Sequence, residues 1–521
     1  MKTPLTRRGF LAEVGRGMLV ASVGLEVAHD LGLAKALASE STAEALNFGP
    51  LERLVCLMQE TPADKLLPQL VAKLNSGTSL HDLTAAGALA NARTFGGEDY
   101  VGFHTMMALS PALRMSRELP AETQALPVFK VLYRNTTRIQ EQGGRKAEVL
   151  HAVKLEPTTG PRPTGEELRT AIRGLKANEA EQLFARIAQG TSNEALDQLL
   201  YAVDDETEVH RVVLPYRAWD MAGLIGQEHA HTLLRQSVRY CLKSEPWSAK
   251  QPVREPRVLL PRLLEEHKLL GRAPGTKRAE DAWVEKLSMT IFSSTPEQAA
   301  GAAAAALAEG FAPADIGEAI TLAANQLLLR DQGRRPSEEV AGKPTGSVHG
   351  DSIGVHACDS ANAWRNLALV GGPRNCYASL ILGAYQVALD RGARGGDFLN
   401  WQPLPFAWHL QGIKTTEPEA LLREAEEAIR GNLQARAGAL IHRYAELGNA
   451  PRPVFDLLIR YAISEDGSLH GEKFYRTCTE EFANARAPYR WRHLLGLTRV
   501  TASEYGRPAA GVAEARALLK A

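Results

Sequence analysis

Residues 294–308 read Ser-Thr-Pro-Glu-Gln-Ala-Ala-Gly-Ala-Ala-Ala-Ala-Ala-Leu-Ala. A hydroxyl residue stands just before a proline and an acidic first turn, and Ala299 to Ala308 is almost pure helix former. The same start signal recurs at Thr164-Gly165-Glu166-Glu167. Leu51 to Met58, Leu67 to Leu74, Leu168 to Ile187 and Leu421 to Leu447 carry apolar residues at helical spacing. Alternating strand patterns are scarce, and aromatic residues are 6% of the chain. These features predict an all-α, multi-helix body. The Pro/Gly-rich segments 156–164, 245–262 and 331–348 read as loops.

The helical text also repeats. Leu74-x-x-Gly77-x-x-x-x-Asp82-Leu83 recurs as Leu307-x-x-Gly310-x-x-x-x-Asp315-Ile316, and each copy runs on into an Ala-rich helix. A histidine follows, then a proline, then a tyrosine: His104, Pro120 and Tyr133 in the first copy, His356, Pro373 and Tyr385 in the second. A longer loop near 331–353 separates the halves of the second copy. An internal duplication of a helical unit is the expectation. It divides the chain into 39–155 (first copy), 156–290 (a central helical region), 291–400 (second copy) and 401–521 (a C-terminal helical region packed on the same body).

The N-terminus is of a different kind. Thr6-Arg7-Arg8-Gly9-Phe10-Leu11 precedes a mildly apolar stretch, Gly17 to Leu25, and the small-x-small end Ala36-Leu37-Ala38. These are the parts of a twin-arginine export signal over 1–38. The expectation is a periplasmic or otherwise extracytoplasmic protein, a client of the export machinery that folds before it leaves and carries its cofactor with it. Residues 1–38 hold five of the 60 basic and three of the 60 acidic side chains, so the remainder carries 55 against 57. That balance argues against nucleic acid as a partner. No apolar run approaches the roughly 20 residues of an integral membrane span. The five cysteines, Cys56, Cys241, Cys358, Cys376 and Cys478, form no CxxC pair and read mostly as small buried residues.

Polar groups that carry chemistry gather in four places. The richest is Gly346 to Arg365, with His349-Gly350-Asp351 in a Gly-rich turn and His356 and Asp359 three apart on one helix face. Imidazole and carboxylate are the ligands of zinc, iron and copper. Asp359 also suits the orientation of His356 as a general base. The second place is Glu228-His229-Ala230-His231, whose histidines point to opposite sides of a regular helix unless the first lies in the preceding turn. Upstream, His210 follows the acidic run Asp204-Asp205-Glu206-Thr207-Glu208, which reads as a solvated face or a helix start. The third is His104 in Tyr100-Val-Gly-Phe103-His104-Thr105-Met106-Met107, and the fourth is His470 in Asp466-Gly-Ser-Leu-His470-Gly471. A core histidine bonded to a backbone carbonyl fits His104 as well as a ligand does. His409 and His493 follow aromatic clusters and carry less signal. No Walker loop, GxGxxG, HExxH, GxSxG or CxxCH is present.

The order of Gly102-Phe-His104-Thr-Met-Met-Ala-Leu109, His229-Ala-His231-Thr-Leu-Leu and Val355-His356-Ala-Cys-Asp359-Ser-Ala361 resembles the questin oxidase-like family over 104–365. The resemblance implies a helical oxygenase acting on a hydrophobic aromatic substrate. An export signal is not expected of that family, and Asp359 is not part of its pattern.

The reading that follows is an exported metal-dependent oxidoreductase acting on a small molecule. His104, His229, His231, His349, His356 and His470 are the candidate ligands of a transition metal ion: iron, copper or zinc. Asp351, Asp359 and Tyr385 are the candidate catalytic groups, and Tyr133 shares the place of Tyr385 in the repeat. Two rivals stand beside it. A hydrolase would use the same ligands to activate water. A non-enzymatic helical scaffold would scatter the histidines and line a groove with Trp364, Trp401 and Trp408.

Overall fold

Hydroxyl and acidic caps start many of the helices. In the stretch quoted first, Thr295 Oγ1 accepts from Gln298 N while Gln298 Oε1 accepts from Thr295 N, and the helix runs from Pro296 to Ala308. Thr164 and Thr191 cap their helices in the same reciprocal way. The computed structural model describes residues 44–155, 160–250, 255–340, 344–350, 352–393, 396–467 and 470–521. The export-signal expectation, on 1–38, lies outside the described residues.

The helices are α1 (Glu52–Glu60), α2 (Ala63–Asn75), α3 (Leu80–Phe95), α4 (Tyr100–Ser116), α5 (Leu126–Glu141), α6 (Gly165–Arg173), α7 (Ala177–Ile187), α8 (Ser192–Val203), α9 (Val209–Ile225), α10 (Ala230–Ser248), α11 (Pro256–Glu266) and α12 (Asp281–Ser293). They continue as α13 (Pro296–Ala308), α14 (Pro313–Arg330), α15 (Ile353–Val370), α16 (Pro373–Ala393), α17 (Ala407–Gln411), α18 (Pro418–Arg430), α19 (Gln434–Glu446), α20 (Arg452–Ser464), α21 (Gly471–Asn484), α22 (Trp491–Glu504) and α23 (Val512–Leu519). Among the described residues there is no β-sheet; isolated bridges include Lys277–Phe311 and Glu465–Pro508. The protein is all-α, and Asn47–Ala521 pack as one unit. No described helix is long and apolar enough to cross a membrane.

One expected loop, 245–262, is shorter than the sequence suggested. Residues 245–248 complete α10 and 256–262 belong to α11, because Pro246 falls in the last turn of one helix and Pro256 at the first position of the next. Arg257 then clamps the two by pairing with Glu245 at 2.7–2.9 Å. The stretch Leu168 to Ile187 breaks after Arg173, where Leu175 takes a positive φ of 55°.

At the centre, α4 and α15 each pack against both α9 and α21. Around this group the neighbours repeat in order. Helices α3 and α5 flank α4 as α14 and α16 flank α15, and α10 joins α9 to α3 as α22 joins α21 to α14. Helix α3 shows how the shell packs so closely. Ala85, Ala86, Ala88, Ala90 and Ala92 are all fully buried, and small side chains let helix backbones approach. The long loop of the second half is the 331–352 connection, where α14 ends at Arg330 and α15 begins at Ile353.

Candidate functional site

The four central helices bring four histidines together, each at a helix start. Asp99 Oδ1 accepts from Gly102 N at 2.7 Å and caps α4, placing His104 in its second turn. Ser352 caps α15 two residues before His356's turn closes, through Val355 N at 3.3 Å. Glu208 caps α9 and so fixes His210, while His470 is itself the residue before α21.

The imidazoles meet in two pairs. His104 Nε2 lies 3.1 Å from His210 Nε2, and His356 Nε2 lies 2.9 Å from His470 Nε2. Ring centroids close a circuit: 4.6 Å from His104 to His210, 6.0 Å on to His356, 4.8 Å on to His470 and 5.2 Å back to His104. His104 and His470 are buried, whereas His210 and His356 are partly open to solvent.

The protons in the first pair can be placed. A carbonyl only accepts, so His104 Nδ1, 2.7 Å from Tyr100 O, carries a hydrogen. A carboxylate also accepts, so His210 Nδ1, 2.6 Å from Glu208 Oε1, carries one too. Burial holds His104 well below the usual imidazole value, and the charges of Lys473, His210 and His470 push the same way. His104 is therefore neutral at pH 7 and turns the lone pair of Nε2 toward its partner. The gap at 3.1 Å takes a positive charge, a proton or a metal ion, since two facing lone pairs repel.

The surroundings are asymmetric. Beside the first pair stands an aromatic wall: Tyr100 is 4.3 Å and Phe103 5.0 Å from His104, and Phe103 packs edge-on to Tyr240 at 5.4 Å. Beside the second pair a narrow cleft reaches His470 between Gly350, Phe474, Leu497 and Val500. Deeper, Lys473 is buried and pushed down to about 8 by loss of water, against the pull of Asp359 and Glu472.

Three of the expected ligands, His104, His356 and His470, thus lie together, and with them lies His210, a candidate the sequence offered beside His229 and His231 but left out of the ligand set. The acidic run before His210 is not a solvated face: Asp204, Asp205 and Glu206 are buried in ion pairs with Arg374, Arg173 and Arg211. His229 and His231 lie elsewhere. His229 faces Phe48 edge-on at 6.2 Å, and His231 stacks on Phe184 at 5.9 Å. His349 is buried with Nδ1 accepting from Arg507 at 2.8 Å, so that lone pair is used. Asp359 is buried one turn along α15 from His356 and accepts from Thr477 Oγ1 at 2.7 Å. Burial raises its pKa. Tyr385 donates to Glu255 at 2.9 Å, and Tyr133 covers Gly511. Asp351 lies outside the described residues. Of the tryptophans, Trp364 is in the core, its Nε1 donating to Gln386 at 2.7 Å, so it lines no surface groove.

Among the described residues, no three His, Cys, Asp or Glu side chains stand ready-made around one point as a metal cage. No protein-family model, curated protein or solved structure matches the chain.

Proposed function

We propose that His104, His210, His356 and His470 hold one transition metal ion and that the protein is a metal-dependent oxidoreductase. The observation that carries this is the facing of Nε2 atoms at 3.1 and 2.9 Å, with His104 neutral by burial. A metal–imidazole bond of about 2.0–2.1 Å puts neighbouring nitrogens about 2.9 Å apart at a right angle and about 3.4 Å apart in a tetrahedron. At that spacing the imidazoles would suit a nitrogen-ligated iron, copper or zinc ion.

Four neutral imidazoles bring no negative charge to the ion, which favours its reduced form. When bound, the ion supplies electron transfer to a small substrate. The chain's own residues do the rest. Tyr100 O and Glu208 fix two imidazoles in the Nδ1–H form. Phe103 and Tyr240 wall one side of the first pair. The partly open edges of His210 and His356 leave an approach. Lys473 and Asp359 are buried groups placed to hold a proton beneath the cluster. The likeness to questin oxidase-like enzymes agrees with an oxygenase acting on an aromatic substrate. The parallel packing around α4 and α15 supports a duplicated unit, with His104 in the first copy and His356 in the second, while His210 and His470 lie outside the two copies. Export already folded, through the twin-arginine signal, suits a protein that takes its metal before export.

The test is elemental analysis of protein from its native host beside His356→Ala. Near-stoichiometric iron or copper, lost in the variant, is expected. Stoichiometric zinc would move the assignment to a hydrolase. Absence of metal from both proteins would overturn it.

A further inference from the structure

Four groups converge on the carboxylate of Glu208. Its Oε2 accepts from His210 N at 2.9 Å, from Arg211 N at 3.0 Å and from Tyr240 Oη at 2.7 Å. Its Oε1 accepts from His210 Nδ1 at 2.6 Å. The residue therefore does two jobs with one side chain. It caps α9, and it hands a full negative charge to one imidazole of the cluster. The other traceable partner, Tyr100 O on His104, is a neutral carbonyl.

Tyr240 belongs to α10, so its hydroxyl also ties the cap of α9 to the neighbouring helix. Phe103, on the central helix α4, fills the space between that phenol and both imidazoles, at 5.4 Å from Tyr240 and 5.0 Å from His210. The carboxylate is thus held from two helices, α9 and α10, with its Oε1 on the His210 ring.

We infer that Glu208, locked by Tyr240, is a positioning residue that fixes the tautomer and orientation of His210 and makes it a more strongly donating imidazole than His104, whose partner is a neutral carbonyl. The inference rests on the metal reading for its effect on an ion, but not for its effect on the tautomer. A carboxylate behind a ligating imidazole raises the basicity of the ring nitrogen that faces the metal, and removing such a partner commonly weakens metal binding about 10- to 100-fold.

The test uses the full chain and two variants. Glu208→Gln removes the charge and keeps one acceptor oxygen, which serves either the helix cap at Oε2 or Nδ1 at Oε1, while its amide nitrogen only donates. Tyr240→Phe removes one hydroxyl. In metal-loaded protein, competition with a chelator should show affinity for iron or copper reduced about 10- to 100-fold in Glu208→Gln and less in Tyr240→Phe, with melting temperatures near that of the parent. In metal-free protein carrying nitrogen-15 histidine, the His210 Nδ1 resonance should report a hydrogen held against Glu208, and Glu208→Ala should shift it. Unchanged affinity together with unchanged His210 nitrogen shifts would overturn the inference. A parent protein that binds no metal would overturn the metal reading, and the nitrogen spectra would still decide the role of Glu208.

Discussion

His356 Nε2 and His470 Nε2 lie 2.9 Å apart although 114 residues separate them in the chain. His104 and His210 meet in the same way across 106 residues. Neither contact is local, so both depend on the crossing of α4 and α15 with α9 and α21. Replacing any one of the four imidazoles should break the set. His104→Ala and His470→Ala are expected to lose most of the bound metal while the helix content by circular dichroism stays unchanged. Retention of full metal in His104→Ala would show that the first pair is structural alone.

Metal affinity should depend on pH. The first facing pair needs one positive charge in its gap, supplied by a proton when no ion is present. Binding an ion there therefore releases about one proton per metal. Affinity should weaken as pH falls through the imidazole range, about 6.5 and below. Chelator competition at several pH values gives the slope, and a flat profile would contradict the picture.

The fold was largely legible in the sequence because helix periodicity and caps are local signals. Thr164 and Thr295 act as read, each closing a capping box. Three of the four clustered histidines were also legible, since His104, His356 and His470 stand beside helix starts. His210 was left out of that set. A run of acids looks the same in sequence whether water or arginine neutralises it, and here Arg173 and Arg374 do so from other helices and Arg211 from the first turn of α9. His229 and His231 drew attention by adjacency, yet the crossing of α10 with α7 turns His231 onto Phe184. Which face of a helix looks at the centre is a tertiary property.

Acid should destabilise the protein through His493. This residue is 3% exposed, its Nε2 has no hydrogen-bond partner, and burial pushes it down to about 4, with Glu481 pulling up and Arg365 and Arg492 pushing down. The folded pKa lies below the unfolded value of 6.5, so between the two the unfolded chain binds more protons. The cost is absent above pH 6.5, grows as pH falls and levels off near 4. It reaches at most about 3 kcal/mol. Urea unfolding of the parent and of His493→Leu between pH 7 and 4 checks this, and equal slopes in both would remove His493 from the account.

The placement of His356 depends on a glycine two residues before it. A Cβ built on Gly354 would stand 2.6 Å from Leu328 Cα and 2.8 Å from Leu328 N, both backbone atoms of α14 that cannot swing aside. Gly354→Ala must therefore push the start of α15 away from α14, and His356 moves with it. Overpacking of this kind costs about 1–3 kcal/mol. The expected result is a lower melting temperature together with weaker metal binding. The pairing of the two effects is diagnostic, because a comparable clash remote from the cluster would lower stability alone. Gly87→Ala supplies that comparison. Its Cβ would meet only the flexible end of Leu132, between α3 and α5, and it should lower stability while leaving metal content at the parental level.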